Sequence, residues 1–310
     1  MTAPLSDYYF FWTPVEGKVV LVGPEQDAIP LPPIPLPIKN ELCSAGTPSD
    51  DAIGTSLYDY LRQFPDCALN REYAEILRDA YPHFLADLGS QIVMLDHKDV
   101  EAPYVKRKIV CMQILLLLDP QNRGLLLQLG INFYELGLMF PELPNCRAHF
   151  SRAMRYLSAV GNDPSALNYL ARIDLLLGDY PSAIRRWEQV RDAVADEATR
   201  EAISDQIASL AAMDEPDRSL LEDLEAIGTA MQLMASNDVE AAKGILERLE
   251  EENVVTNQFP NPEFYYMLGI CRERTGDPGG AFSAFDQALT LEPGHAPSLE
   301  GRERVSGGLR

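Results

Sequence analysis

The sequence predicts an all-α chain of paired helices that carries a small β-hairpin and a proline-rich strap near its start. Two observations carry this. After residue 120, four windows repeat small residues at matched positions within amphipathic helical patterns. Residues 7–38 instead crowd aromatic, β-branched and proline side chains, which suit strands and extended backbone.

From the start, Tyr8 to Trp12 and Lys18 to Val22 read as a β-hairpin turned at Pro14-Val15-Glu16-Gly17. Residues 29–38 alternate apolar side chains with proline, which favours extended polyproline backbone. They read as a strap packed on the helical body; a ligand for another protein's aromatic groove and a plain linker are the alternatives. Residues 40–49 are a loop, and Ser49 caps a helix to about Gln63. Asn70 is placed to cap the next helix, whose apolar face is Tyr73, Ile76, Leu77 and Ala80, and Pro82 kinks or restarts it. A helix led by Pro103 reaches Leu118. Residues 70–120 thus fit a degenerate helical pair. The organisation expected is 1–48 hairpin and strap, 49–120 helical region, and 121–310 helix-pair array.

The clearest window is 262–293. Gly276 follows Gly269 by seven residues, Ala281 by five more, Phe285 by four and Ala288 by three, and Pro293 closes the unit. Gly269 and Ala281 are expected to face each other at a helix crossing, with Gly276 ending the first helix. Three earlier windows keep the pattern. The first has Leu129-Gly130, Gly137, Cys146, Phe150 and Ala153, with Pro141 to Pro144 as a lengthened turn. The second has Ala171, Gly178, Ala183 and Trp187, and the third Ala230, Asn237, Ala242 and Leu246. The turn positions Gly137, Gly178, Asn237 and Gly276 are 41, 59 and 39 residues apart, and the widest gap leaves room for an extra helix over 197–213 ended by Pro216. Ala296 to Val305 reads as a capping helix.

This pattern resembles the tetratricopeptide repeat (TPR) family, whose unit is two antiparallel helices of about 34 residues. The resemblance implies a right-handed superhelical solenoid that holds other proteins. It implies a groove lined by first-helix residues, which by motif match are Leu127, Ile131 and Tyr134; Asn168, Arg172 and Leu175; Ile227, Met231 and Met234; and Tyr266, Ile270 and Glu273. Some family members clamp a C-terminal carboxylate with Lys and Asn at such positions. Here only Asn168 and Arg172 are suited, so a clamp is not expected. The groove is apolar instead, with adaptable methionines. Its occupant is a protein or peptide partner, or this chain's own residues 1–40.

Composition narrows the function. The 310 residues carry a net charge of −21, and residues 192–252 hold 17 acidic against 4 basic side chains. That excludes a nucleic-acid partner, which needs a basic footprint. The acidic stretch is a solubilising face or a strip that attracts a basic partner. The five cysteines, with no CxxC, read as reduced thiols in a cytoplasmic protein. The start of the chain lacks the basic and apolar regions of a signal peptide, and the longest apolar run is too short to span a bilayer.

No phosphate loop, HExxH or GxSxG is present. Asp79, His83 and Asp87 recur at four-residue spacing, and Asp96, His97, Asp99 and Glu101 share a loop; both sets read as solvated polar residues. No cofactor and no metal are expected. The leading expectation is a non-enzymatic scaffold or adaptor. The alternatives are an assembly factor acting by self-association, which light scattering at several concentrations would detect, and an enzyme with its site in residues 1–120.

Overall fold

The computed structural model of the protein describes residues 5–22, 27–43, 46–96, 101–213 and 217–308. The chain divides into two compact units, Met1–Leu129 and Gly130–Arg310.

In the first unit, four strands follow a short 3-10 turn: β1 (Tyr9–Trp12), β2 (Val19–Val22), β3 (Asp27–Pro30) and β4 (Leu36–Lys39). The expected β1–β2 hairpin does not form. β1 pairs antiparallel with β4, and β2 with β3. The proline strap therefore supplies both partners, and hydrogen-bond parity explains how it can. Asn40 N–H bonds Tyr8 C=O, so the next residues inward, Lys39 and then Pro37 two further on, alternate with bonded positions and turn their amide nitrogens away from β1. Leu31 N–H bonds Lys18 C=O, which puts Pro30 in the same kind of position opposite Val19. A proline there forfeits no ladder bond. The outward Lys39 N–H is taken up by Ser56 Oγ at 3.0 Å.

These strands lie on α1 (Asp50–Gln63), α2 (Asn70–Ala80), α3 (Pro82–Asp96) and α4 (Ala102–Leu118). Ser49 caps α1 as its sequence predicts, accepting from Ala52 N–H at 3.2 Å. Asn70 does not cap α2. It is that helix's first residue, and its side chain donates back to Pro65 C=O at 2.7 Å. Pro82 restarts the chain as the first residue of α3. One apolar cluster joins Tyr9, Val20, Leu31, Leu36 and Ile38 to Ile53, Leu57, Leu61, Leu77, Leu88 and Ile114. Leu36 and Ile38 are fully buried, and each such side chain stabilises by roughly 1.5–3 kcal/mol. Tyr73 OH donates to Pro35 C=O at 2.6 Å, and Lys39 Nζ pairs with Asp59 at 2.6 Å. The strap is thus ordered against the helices of residues 50–118.

The helix α5 (Arg123–Leu138) runs through the boundary between the units. A 3-10 segment over Phe140–Asn145 follows, where the lengthened turn is expected. Beyond it come α6 (Cys146–Val160), α7 (Pro164–Leu176), α8 (Tyr180–Ala193), α9 (Glu197–Ala211), α10 (Leu220–Ala235), α11 (Val239–Glu252), α12 (Val254–Gln258), α13 (Pro262–Arg274), α14 (Pro278–Leu291) and α15 (Ala296–Gly308). Four pairs are present, α5/α6, α7/α8, α10/α11 and α13/α14, and no strand occurs among the described residues beyond 39. The extra helix α9 and the capping helix α15 stand where the spacing places them. Pro216, expected to end α9, lies outside the described residues.

Three inter-helix turns share one construction. Gly178, Asn237 and Gly276 have φ of 77°, 65° and 84°. The aspartate after each donates its backbone N–H five residues back, to Asp174, Leu233 and Arg272 C=O, each at 2.9 Å. This is a Schellman closure. The same aspartates, Asp179, Asp238 and Asp277, then cap the following helix through their side chains.

The first pair departs from this. Gly137 lies inside α5, without positive φ, and a Cβ on it would stand 2.8 Å from the Phe150 ring. It holds the crossing position that Gly269 holds against Phe285, where the corresponding distance is 2.5 Å. The sequence carries Leu-Gly at both 129–130 and 136–137, seven residues or about two helical turns apart, so both glycines fall on one face and spacing alone chose the wrong one. Gly269 makes room above all for the Phe285 ring.

Candidate protein-binding site

The twelve groove positions fall into distinct environments. On α5, Leu127 and Ile131 are half-buried. Tyr134 is buried, its ring 5.2 Å from Tyr169 and 5.9 Å from Phe150. Burial pushes its phenol pKa up, against the opposing charge and hydrogen bond of Arg172. Arg172 is exposed and lies over the Tyr169 ring at 5.5 Å. Asn168 is not a free groove amide: its Oδ1 accepts from Trp187 Nε1 at 3.0 Å and ties α7 to α8. Leu175 packs with Trp187 and with Leu210 of α9. Asn168 and Arg172, the two positions whose side chains would suit a carboxylate, are thus engaged by aromatic neighbours.

On α10, Met231 and Met234 are half-buried, and Ile227 is buried in the wall of a 190 Å³ cavity. That cavity is also lined by Leu138, Phe140, Val255, Phe264 and Tyr265. Beside it Gly228 approaches the 3-10 segment so closely that a Cβ would meet Leu143 and Pro144 backbone atoms at 2.7 Å. On α13, Tyr266 and Ile270 pack with Phe285 and Val305, and Glu273 accepts two bonds from Arg304, each 2.7 Å. Val305 and Arg304 belong to α15, so the capping helix covers the fourth pair's share of the groove. Sequence reasoning placed the cap but not the surface it covers.

Ion pairs fix the neighbouring repeats. Arg272 reaches Glu247 at 3.0 Å and Glu250 at 2.5 Å, joining α13 to α11. Arg147 makes two bonds to Glu225, of 2.5 and 2.6 Å, joining α6 to α10. Within the second pair, Asp174 is buried against Arg186 at 2.5 Å. Desolvation pushes its pKa up to about 6, against the pull of Arg186. On α9 the acidic residues Glu197, Glu201 and Asp205, each four positions from the next, are all exposed.

Asp79 pairs with Arg78, and Asp87 accepts from Tyr58 OH and Gln91. His97 and Asp99 lie outside the described residues. Among the described residues no three His, Cys, Asp or Glu side chains gather around a point that could hold a metal ion.

Residues 228–296 match the tetratricopeptide repeat family model. No curated protein matches the chain. Among solved structures, a tetratricopeptide repeat protein from Parabacteroides merdae ATCC 43184 aligns over 83% of this chain and 92% of its own, at 13% identity and a TM-score of 0.28. That superposition is too loose to bear on the fold. The family match spans the second half of α10, then α11 to α14 and the first residue of α15, and so includes the left-handed turns at Asn237 and Gly276, the caps Asp238 and Asp277 and the Gly269–Phe285 crossing. Residues 228–296 of the chain are thus a tetratricopeptide repeat segment.

Proposed function

We propose that the chain is a non-enzymatic scaffold or adaptor that recruits a protein partner through first-helix side chains and the acidic outer face. Protein interaction is the general use of such repeats. The observation that carries the finer reading is the apolar character of the first-helix positions left half-buried, Ile131, Met231 and Met234. Half-buried methionines on one helix suit an apolar face of another protein. Charge supports a protein over a nucleic acid, given 17 acidic and 4 basic side chains in residues 192–252. Among the described residues no helix is long and apolar enough to cross a membrane.

A cytoplasmic setting accords with the five free cysteines. Burial pushes the thiols of Cys146 and Cys271 up to about 11, so they serve as small packing side chains and are poor nucleophiles.

The test is capture of partners from the native cell by the full chain, side by side with a Met231→Glu/Met234→Glu variant. The partner should be retained by the wild type and lost by the variant. If the acidic face contributes, its retention should also fall as salt is raised. Equal retention by both proteins would place recruitment elsewhere.

A further inference from the structure

The inserted helix α9 leans on α8 through Ile203, Ile207 and Leu210, which pack against Ala183 and Trp187. Beyond it lies an open recess of about 380 Å³, lined by Leu175, Trp187, Leu210, Met213, Val254 and Arg218 among others. Met213 and Val254 leave 55% and 53% of their surface exposed at its edge. The recess exists because α9 interrupts the regular succession of pairs, and of the twelve groove positions only Leu175 lines it.

Its surroundings are strongly negative. Arg218, its one lining cation among the described residues, is held by Asp223 at 2.6 Å and by Glu252, so its charge is more than answered. Exposed carboxylates flank the lining residues in the chain: Asp205 precedes Gln206, Asp217 precedes Arg218, and Glu251 stands three residues before Val254. An apolar recess selects an apolar side chain, and a negative rim selects cationic neighbours to it. The volume sits at the low end of ligand pockets, roughly 300–1,000 Å³, which suits one or two side chains of a longer segment.

We infer that this recess is a docking site for a protein segment whose aromatic or branched apolar side chain is flanked by lysine or arginine. This deepens the scaffold reading and rests on it: it names where a basic partner anchors and by what.

The chain has two tryptophans. A full-length Trp12→Phe protein leaves Trp187, in the wall of the recess, as the sole tryptophan, which excitation at the red edge of the aromatic band selects over the tyrosines. The probe is a hexapeptide with phenylalanine and leucine at its centre and two lysines on each side. Two controls replace the apolar pair by alanines or the lysines by glutamates. The probe should change Trp187 emission saturably, and both controls should bind at least tenfold more weakly. Met213→Glu/Val254→Glu alters two exposed side chains and so preserves the fold. It should weaken the probe at least tenfold although it adds two negative charges. Purely electrostatic association would tighten instead and would overturn the proposal, as would an unsaturable response. A natively captured partner that this variant retains but Met231→Glu/Met234→Glu loses would overturn the recess while leaving the scaffold reading intact.

Discussion

Ile38 in the first unit and Phe285 in the second are both fully buried, by different means. Ile38 belongs to a cluster that runs from Tyr9 to Ile114 and mixes strands with four helices. Phe285 lies over Gly269, on the helix immediately before its own. One unit is closed by contacts distant in sequence, the other by a local interlock repeated along the chain. The first should therefore fail as a whole when a part is removed, and the second should respond according to what stands against each altered position.

The largest expected effect comes from deleting residues 1–40. This removes Tyr9, Val20, Leu31, Leu36 and Ile38, all buried. At about 2–5 kcal/mol for each large side chain, the combined loss of roughly 10–25 kcal/mol matches or exceeds the roughly 5–15 kcal/mol that holds an ordinary domain together. Amides of α1, α2 and α4 should lose hydrogen-exchange protection while those of α13 and α14 keep it. Retained protection in α1 would break the comparison.

Glycine substitutions probe the other side. At Gly228 an added methyl meets the backbone of Leu143 and Pro144, which cannot rotate away, so Gly228→Ala should destabilise by about 1–3 kcal/mol. On α11, Gly244 has nothing within 4 Å of such a methyl, and Gly244→Ala should stabilise by roughly 0.5–1 kcal/mol through helix propensity. Melting midpoints that moved in the same direction would contradict the interlock.

A smaller effect follows from Asp174. Its folded-state pKa, about 6, lies above its ordinary value of 3.8. The folded protein thus holds this proton more tightly than the unfolded chain does. The site's contribution to stability is greatest below about pH 4, falls as pH rises towards 6 and is flat above that. The difference in melting midpoint between wild type and Asp174→Asn should decline over that interval. A difference constant from pH 4 to 7 would remove the assigned shift.

The same contrast governs what was legible. The second unit's pairs could be read because Gly178, Asn237 and Gly276 act within one turn of their own helix. A further local signal, the aspartate after each of them, went unused. The misplaced register at Gly137 arose where two Leu-Gly steps on one helix face fit equally well. In the first unit, Ser49 and Pro82 spoke locally and were placed correctly. The pairing of β1 with β4 was not legible, because nothing near Tyr9 names Lys39 as its partner. The groove was read least well. Motif match marks the positions pointing off the first helix, but α9 and α15 decide what Leu175 and Tyr266 meet.

Recruitment of a protein by the helix pairs can be read from hydrogen exchange of the full chain with and without the natively captured partner. Added protection should appear in α10, which carries Met231 and Met234, and along α9 if the recess is used. Protection confined to residues 5–118 would contradict the account.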